Sequence, residues 1–185
     1  MTKKLFTPII AVLLLFCMIG ACQTEEQEAG TTEAQPVVTK ERAEEMINLW
    51  LMARHNHDLG LLDSIYTTEA AIHDPSADRD ICGVAELKQY YERSHTIFPD
   101  VKFEFDEIRV AGDWIISTWT MQGTNTGPIG ELPPTGKEII VSGAAIDRIE
   151  DGMIVEEWVY WNPLELYQQL GFTLVPPQPE TEEEE

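Results

Sequence analysis

The chain has 185 residues, of which 33 are Asp or Glu and 12 are Lys or Arg, so its formal net charge is −21. This charge excludes a protein that binds nucleic acid by neutralising phosphates, and it argues against an electrostatic grip on anionic lipid. The three cysteines are too few for a disulfide framework. The length suits one domain with tails.

Residues 1–21 have the composition of an export signal. Two lysines near the start are followed by an apolar run over 9–21, which is short for a membrane span. The run ends in Ile19-Gly20-Ala21-Cys22, which resembles the lipobox of bacterial lipoproteins. The resemblance implies cleavage before Cys22, lipidation of its thiol, and anchoring at an outer membrane or cell surface. An ordinary signal peptide cut after Ala21 is the alternative, and both alternatives export the protein.

The chain beyond the signal divides into a tether, a domain and a tail. Residues 22–38 are polar and acidic, which predicts a flexible tether. Residues 176–185 begin with a Pro-rich segment, which is predicted to end the folded domain, and continue as an acidic tail. The folded domain is therefore expected over 39–175.

The first half of this domain has mostly helical periodicity. Thr39 is a candidate N-cap for an amphipathic helix over 40–57. A short helix is predicted over 59–66 and a short strand over 70–73. A second amphipathic helix is predicted over 83–98, because Pro99 ends the pattern.

The second half changes to a period of two residues. Strands are predicted over 101–106, 114–123, 137–150 and 153–161. Asp151-Gly152 is a preferred two-residue hairpin turn, and Asn162 with Pro163 is predicted to start a short last helix that Gly171 ends. Helices followed by an antiparallel meander predict the α+β class.

The predicted hairpin places possible chemistry on one of its faces. Regular pairing around Asp151-Gly152 puts Asp147 opposite Glu156. Two carboxyl groups this close cannot both ionise cheaply in a dry site, so one would act as acid and the other as base. The alternative is a pair of solvated residues near a turn, and a β-bulge would move them to different faces.

The residues predicted to share this face are Asp147, Glu156, Trp158, Tyr160 and Asn162, with Gly143 and Ala145 leaving room for a planar, polar ligand. The residues predicted on the opposite, apolar face are Ile140, Ala144, Ile146, Val155, Val159 and Trp161.

Five short segments, in this order, resemble the SnoaL-like polyketide cyclase (ester cyclase) family of the nuclear transport factor 2-like superfamily. The resemblance covers 40–172 and implies a cone, in which a curved antiparallel sheet wraps around N-terminal helices and encloses a pocket. It also implies a homodimer that pairs through the sheets. The segments are His73-Asp74-Pro75, Phe98-Pro99-Asp100, Gly123-Thr124-Asn125-Thr126-Gly127, Pro133-Pro134-Thr135-Gly136-Lys137 and the stretch from Asp151 to Trp158 with Gln168-Gln169-Leu170-Gly171.

The resemblance also implies positions for functional residues. It places the family's Asp base at Asn162, which cannot act as a base at neutral pH, and Asn125 where relatives often have His. Asn162 is alternatively an N-cap before Pro163. Asp74 is alternatively a turn residue. The candidate catalytic residues are Asp147, Glu156 and Asp74 as acids or bases, with Tyr160 holding an oxyanion. The candidate ligand-binding residues are His73, Trp119, Asn125, Trp158 and Asn162.

Three functions follow from these observations. The first is an exported, lipid-anchored protein that binds a small hydrophobic, carbonyl-bearing ligand. The second is a cyclase-like lyase or isomerase acting on an enolisable carbonyl compound, and the third is an interaction module that uses its apolar sheet face.

No metal or nucleotide motif is present in the sequence, so no metal and no cofactor are expected. Cys82 is predicted to be a small buried residue and His95 a partly buried, hydrogen-bonded one.

Overall fold

A computed structural model describes residues 38–173 and 175 of the chain. The predicted signal over 1–21, the lipidation site Cys22, the tether up to residue 37 and the acidic tail lie outside these residues. In the described part, no helix has both the length and the apolar character needed to cross a membrane.

The described residues form three α-helices, one 3-10 helix and six strands. Thr39 caps the first helix as predicted, because its hydroxyl accepts a hydrogen bond from the Arg42 amide at 3.2 Å. The elements are α1 Lys40–His55, the 3-10 helix Leu59–Ser64, β1 Tyr66–His73, β2 Ile81–Cys82, α2 Val84–Ile97, β3 Lys102–Ala111, β4 Trp114–Thr124, β5 Glu138–Glu150, β6 Met153–Trp161 and α3 Pro163–Leu170.

The six strands form one curved, unclosed sheet in the order β2-β1-β6-β5-β4-β3. Strands β3 to β6 are the predicted antiparallel meander. This arrangement confirms the α+β class and the cone. One pairing differs from the antiparallel expectation, since β1 runs parallel to β6. Strand β1, which comes from the N-terminal half, is the neighbour of β6. The direction in which β1 runs depends on tertiary packing, which no local sequence pattern encodes.

The helices cover the concave side of the sheet and create two adjoining apolar clusters. One cluster joins α1, the 3-10 helix, β1 and α2, and the other joins β3, β4, β5 and α3. His95 is hydrogen-bonded as predicted, with its Nε2 2.7 Å from the Arg54 carbonyl oxygen, and it is buried more fully than the partial burial that was predicted. The prediction for Cys82 was wrong, because this residue lies on the edge strand β2 and is exposed.

The hairpin between β5 and β6 has the predicted turn but not the predicted register. Asp151 and Gly152 both have positive φ, at 49° and 77°, as the preferred two-residue turn requires. Ile149 pairs with Ile154, but the next pair is Arg148 with Glu156, so Val155 is an extra residue on β6. This β-bulge shifts all later pairs by one residue and reverses the face of each later side chain.

The expected pairing of Asp147 with Glu156 was therefore wrong. Asp147 lies opposite Glu157, and Ala145 lies opposite Val159 rather than Trp158. Glu156, Trp158 and Tyr160 point away from the helices, whereas Val159 and Trp161, which were expected on the opposite face from Asp147, point toward them.

Candidate functional site

A cavity of about 750 Å³ lies between the concave face of the sheet and the helices. Its lining is mainly aromatic and aliphatic, as ligand cavities usually are. Trp119 of β4 lies over Gly143 of β5, where a Cβ atom would collide with the indole ring. The aromatic residues that line the cavity are Trp50, Tyr66, Tyr90, Tyr91, Phe98, Phe103, Phe105, Trp119, Trp161 and Tyr167.

Two facing carboxyl groups line this apolar cavity. Asp147 is 7% exposed and Glu157 is 6% exposed, and the two residues are register partners on β5 and β6. The neighbour of Asp147 on β4 is the buried, apolar Ile115, so no cation on that strand offsets the charge. The bulge is what brings Glu157 inside, because Ile154 and Glu157 both face the cavity although they are three residues apart.

The surroundings raise the pKa values of the two carboxyl groups to different extents. Burial raises the pKa of Glu157 to about 7, although the hydroxyl of Tyr66, which donates to Glu157 Oε2 at 2.8 Å, opposes that shift. Burial and then the charge of Glu157 raise the pKa of Asp147 well above its usual range. Both shifts disfavour ionisation of the pair, and the shift is stronger for Asp147, so Asp147 is the group favoured to keep a proton.

The two groups also differ in their free hydrogen-bonding capacity. Asp147 Oδ1 is buried and has no hydrogen-bond partner within the described residues. Buried polar atoms are rarely left unpaired, so this oxygen calls for a further partner. The pair thus combines one carboxyl group that has an unpartnered oxygen with one whose position Tyr66 fixes by a hydrogen bond.

Asp74 and Tyr91 are further polar groups of the cavity. Asp74 Oδ1 accepts hydrogen bonds from Trp161 Nε1 at 3.2 Å and from the Ser76 amide at 2.8 Å. The bond from Ser76 belongs to the turn after β1, the bond from Trp161 ties this turn to the end of β6, and Asp74 lines the cavity. The Tyr91 hydroxyl accepts a hydrogen bond from Trp50 Nε1 at 3.2 Å, and burial, followed by the charge of Glu157, raises its pKa well above 10.

Three of the predicted site residues line the cavity and the others do not. Asp147, Asp74 and Trp119 face it. The outward-facing residues, which the regular register had placed inside, are Glu156, Trp158 and Tyr160.

His73 also lies on the outer side of the sheet. Its Nδ1 is 2.9 Å from Asp80 Oδ1, its Nε2 is 3.2 Å from Glu156 Oε1, and its ring stacks on Trp158 with centroids 5.2 Å apart. The hydrogen bond to Asp80, opposed by burial and supported by Glu156, raises the pKa of His73. This network ties β1 to β6 and to the turn that precedes β2.

Asn125 and Asn162 make structural hydrogen bonds. The fully buried Asn125 amide donates to the Gly127 carbonyl at 2.7 Å, and its oxygen accepts from the Thr135 amide at 2.8 Å. Asn162 Oδ1 accepts from the Leu164 amide at 3.1 Å, which makes Asn162 the N-cap of α3, the alternative that its sequence context allowed. Neither residue lines the cavity.

Sequence reasoning missed Glu157, Tyr66, Tyr91 and Arg54 as residues of the cavity. Glu157 was not named, because a regular hairpin puts it on the opposite face from Asp147. Tyr66 was expected at the end of a short helix, whereas it begins β1. Two adjacent Glu residues beside a turn were a signal that either could face inward. The described residues contain no group of three or more His, Cys, Asp or Glu side chains arranged to hold a metal ion.

The described fold and site define a class of protein, namely a ligand-binding α+β cone with acidic groups at its centre. The family model of the SnoaL-like polyketide cyclase matches residues 42–170, so the chain belongs to the SnoaL-like polyketide cyclase family. A search of curated proteins found no match.

Several solved structures share this fold. The chain is similar to TsrD from Streptomyces laurentii, with 25% identity and a TM-score of 0.65 over 72% of this chain and 98% of that one. It is similar to IdmH from Streptomyces antibioticus, with 23% identity and a TM-score of 0.62 over 70% and 99% of the two chains. A protein with a ketosteroid isomerase-like fold from Catenulispora acidiphila matches with 16% identity and a TM-score of 0.60 over 70% and 94%.

Proposed function

We propose that the cavity binds a small hydrophobic, carbonyl-bearing compound and that Glu157 and Asp147 transfer protons to and from it, as in a cyclase, lyase or isomerase. The observation that carries this proposal is the facing carboxyl pair in a cavity lined by aromatic rings. A cavity that only stored an apolar ligand would gain nothing from two buried acids, since burying them disfavours the folded state.

The reaction would begin with removal of a proton from the carbon next to the ligand carbonyl. Ionised Glu157 accepts that proton, while Tyr66 keeps its carboxylate oriented. Protonated Asp147 donates a hydrogen bond to the carbonyl oxygen, where negative charge develops as the enolate forms. If the enolate is conjugated with a C=C bond, return of the proton from Glu157 to the far carbon gives an isomer. If the enolate carbon instead attacks a second carbonyl of the ligand, a C–C bond forms as the π bond of that carbonyl breaks, and the resulting alkoxide takes the proton held by Glu157 to give a cyclic alcohol.

In this proposal Asp147 takes the oxyanion role that the sequence had suggested for Tyr160. The proposal also no longer depends on Asn162 or Asn125, because both side chains are committed to structural hydrogen bonds. Binding without turnover is the alternative function. It would use the same cavity and would be distinguished by the absence of proton exchange.

Hydrogen–deuterium exchange into β-tetralone, followed by NMR, tests the proposal directly. We expect the protein to accelerate exchange at the carbon next to the carbonyl, and we expect Glu157→Gln to abolish the acceleration. Glu156→Gln is the matched control, because the same change one residue earlier lies outside the cavity. If β-tetralone binds but exchanges no faster than in buffer, the binding-only function replaces the enzymatic one.

We also propose that the protein is exported and anchored through a lipid on Cys22. The supporting observation is the basic start, the apolar run and the Ile19-Gly20-Ala21-Cys22 ending. Expression in a bacterium with radiolabelled palmitate should label the wild-type protein and not Cys22→Ser. Export of an unlabelled wild-type protein would instead support the ordinary signal peptide cut after Ala21.

We propose further that two copies pair through the outer face of the sheet. Ile140, Tyr160 and Ile116 are 58%, 57% and 38% exposed on this face. Scattered apolar residues are common on surfaces, but three on neighbouring strands suit a sheet-to-sheet contact. Light scattering should give a dimer for the wild-type domain and a monomer for Ile140→Glu, and a monomeric wild type would refute the pairing.

A further inference from the structure

Arg54 is a buried cation in the wall of the cavity. It belongs to α1, is 2% exposed and lines the cavity. No Asp or Glu oxygen lies within 4 Å of its guanidinium among the residues that the structure describes. Buried charges are normally paired, so an unpaired buried guanidinium calls for a specific explanation.

The neighbours of Arg54 satisfy only part of its hydrogen-bonding capacity. Nη2 donates to Ser94 Oγ at 3.1 Å, and Nη1 is 3.5 Å from the Tyr91 carbonyl oxygen. Nε is buried and has no partner within the described residues. A guanidinium carries five N–H donors in a fixed fork, and these contacts use two of them.

Aromatic rings stabilise the charge without using these donors. The guanidinium carbon lies 4.1 Å from the centroid of the Tyr91 ring, 5.3 Å from that of Phe103 and 5.6 Å from that of Trp50. Cation–π contacts favour the positive charge but form no hydrogen bond to the N–H edge. Burial still lowers the pKa of Arg54, which shows that the surroundings compensate the charge incompletely.

The acids of the cavity do not complete this compensation. Asp74 is engaged with Trp161 and Ser76, and Glu157 is engaged with Tyr66. The Tyr91 hydroxyl accepts from Trp50, and its own proton has no acceptor in the described part of the chain. One guanidinium edge and one phenol proton are therefore available in the same part of the cavity.

We infer that the ligand carries a carboxylate that binds Arg54, with the Tyr91 hydroxyl as a second donor. This inference rests on the proposed function and names the class of its substrate, an aromatic or polycyclic acid with an enolisable carbonyl. A carboxylate matches the forked geometry of a guanidinium, and its charge neutralises the buried cation. Binding at Arg54 would orient the rest of the ligand along the aromatic wall toward Glu157 and Asp147.

The test compares naphthylacetate with naphthylacetamide, which has nearly the same shape and no charge. Dissociation constants are measured by tryptophan fluorescence for the wild-type protein, Arg54→Met and Arg79→Met. Arg79 is the matched control because it also lines the cavity but is exposed and already paired with Glu86. We expect the wild type and Arg79→Met to bind the acid about tenfold or more tightly than the amide. Arg54→Met should lose this preference while keeping its affinity for the amide.

The outcomes separate this inference from the proposed function. Equal binding of acid and amide by the wild type overturns the carboxylate site, and this comparison needs no variant to fold. A preference that persists in Arg54→Met overturns the assignment to Arg54. If the amide binds and β-tetralone exchange depends on Glu157, the proposed function stands whatever the acid does. If neither probe binds and β-tetralone is not exchanged, both proposals fail.

Discussion

Asp147 and Glu157 face each other across β5 and β6 only because Val155 is an extra residue on β6. Without this bulge, Glu156 would face inward and Glu157 outward. The bulge therefore decides which of two adjacent, chemically identical side chains becomes a buried acid. Bulges often redirect side chains beside functional sites, and here the redirected residue lies beside Tyr66 in the cavity.

The first prediction concerns the pH dependence of proton exchange. Burial raises the pKa of Glu157 to about 7, and the base must be ionised to accept a proton. The rate constant for β-tetralone exchange should therefore rise with pH through about 7. Tyr66→Phe removes a hydrogen bond that favours the ionised form, so it should raise the pKa of Glu157 and shift the profile to higher pH. A profile unchanged by Tyr66→Phe would contradict this assignment.

The second prediction concerns stability. Because the folded-state pKa of Glu157 is raised, the folded protein binds this proton more tightly than the unfolded chain does. The free energy of unfolding should therefore fall as pH rises from about 4.5 toward 7, the window between the two pKa values. Glu157→Gln should remove part of this fall and stabilise the protein near neutral pH by roughly 1–3 kcal/mol. Urea denaturation at several pH values measures it, and Glu156→Gln is the control.

The third prediction distinguishes two tryptophans. Trp119 lies in the cavity wall, whereas Trp158 lies on the outer face against His73. Trp119→Phe should weaken binding of naphthylacetamide about threefold to tenfold because part of the aromatic contact is lost. Trp158→Phe is the matched change and should leave the dissociation constant unaltered, as measured by calorimetry. A larger loss of affinity in Trp158→Phe than in Trp119→Phe would instead support the regular register without the bulge.

The fourth prediction concerns Asn162. Its side chain caps α3, so Asn162→Ala should lower the free energy of unfolding by about 1 kcal/mol. Asn162→Asp should keep the stability, because Asp caps a helix N-terminus equally well. Neither variant should change the exchange rate of β-tetralone. A gain of exchange activity in Asn162→Asp would show that this position reaches the ligand after all.

The fifth prediction concerns the order in which the histidines titrate, measured by NMR. The hydrogen bond to Asp80 raises the pKa of His73, whereas burial lowers the pKa of His55 and lowers that of His95 to about 4. His73 should therefore titrate at a higher pH than His55 and His95. Its contribution to stability is complete below its unfolded pKa and is lost as pH rises through its folded pKa. Asp80→Asn should lower the pKa of His73, and an unchanged value would refute the contact.

Much of the fold was predictable because it depends on local patterns. Thr39, Asn162 and Gly171 bound their helices as predicted, since capping involves residues a few positions apart. The change of period from 3.6 to 2 predicted the meander for the same reason. The edge strand β2 was missed, because two residues are too few to show a period.

The candidate site was less predictable, because its parts are distant in sequence. Asp147, Asp74 and Trp119 were identified and face the cavity. Tyr66 and Glu157 are 91 residues apart, and their hydrogen bond exists only because β1 runs alongside β6. Arg54 was not predicted as a cavity residue, because the spacing that puts it on the packed face of α1 does not show what lies against that face.

The sequence by itself determined the α+β class, the helix caps, the Asp151-Gly152 turn and the family resemblance, all of which depend on residues close together in the chain. Only the tertiary structure decided the face of every residue of β6 after Val155, the direction of β1 and the burial of Arg54. A bulge has no strong local signal, since one extra residue leaves composition and hydrophobicity unchanged. It nevertheless reverses each following side chain, and the candidate chemistry of this protein depends on that reversal.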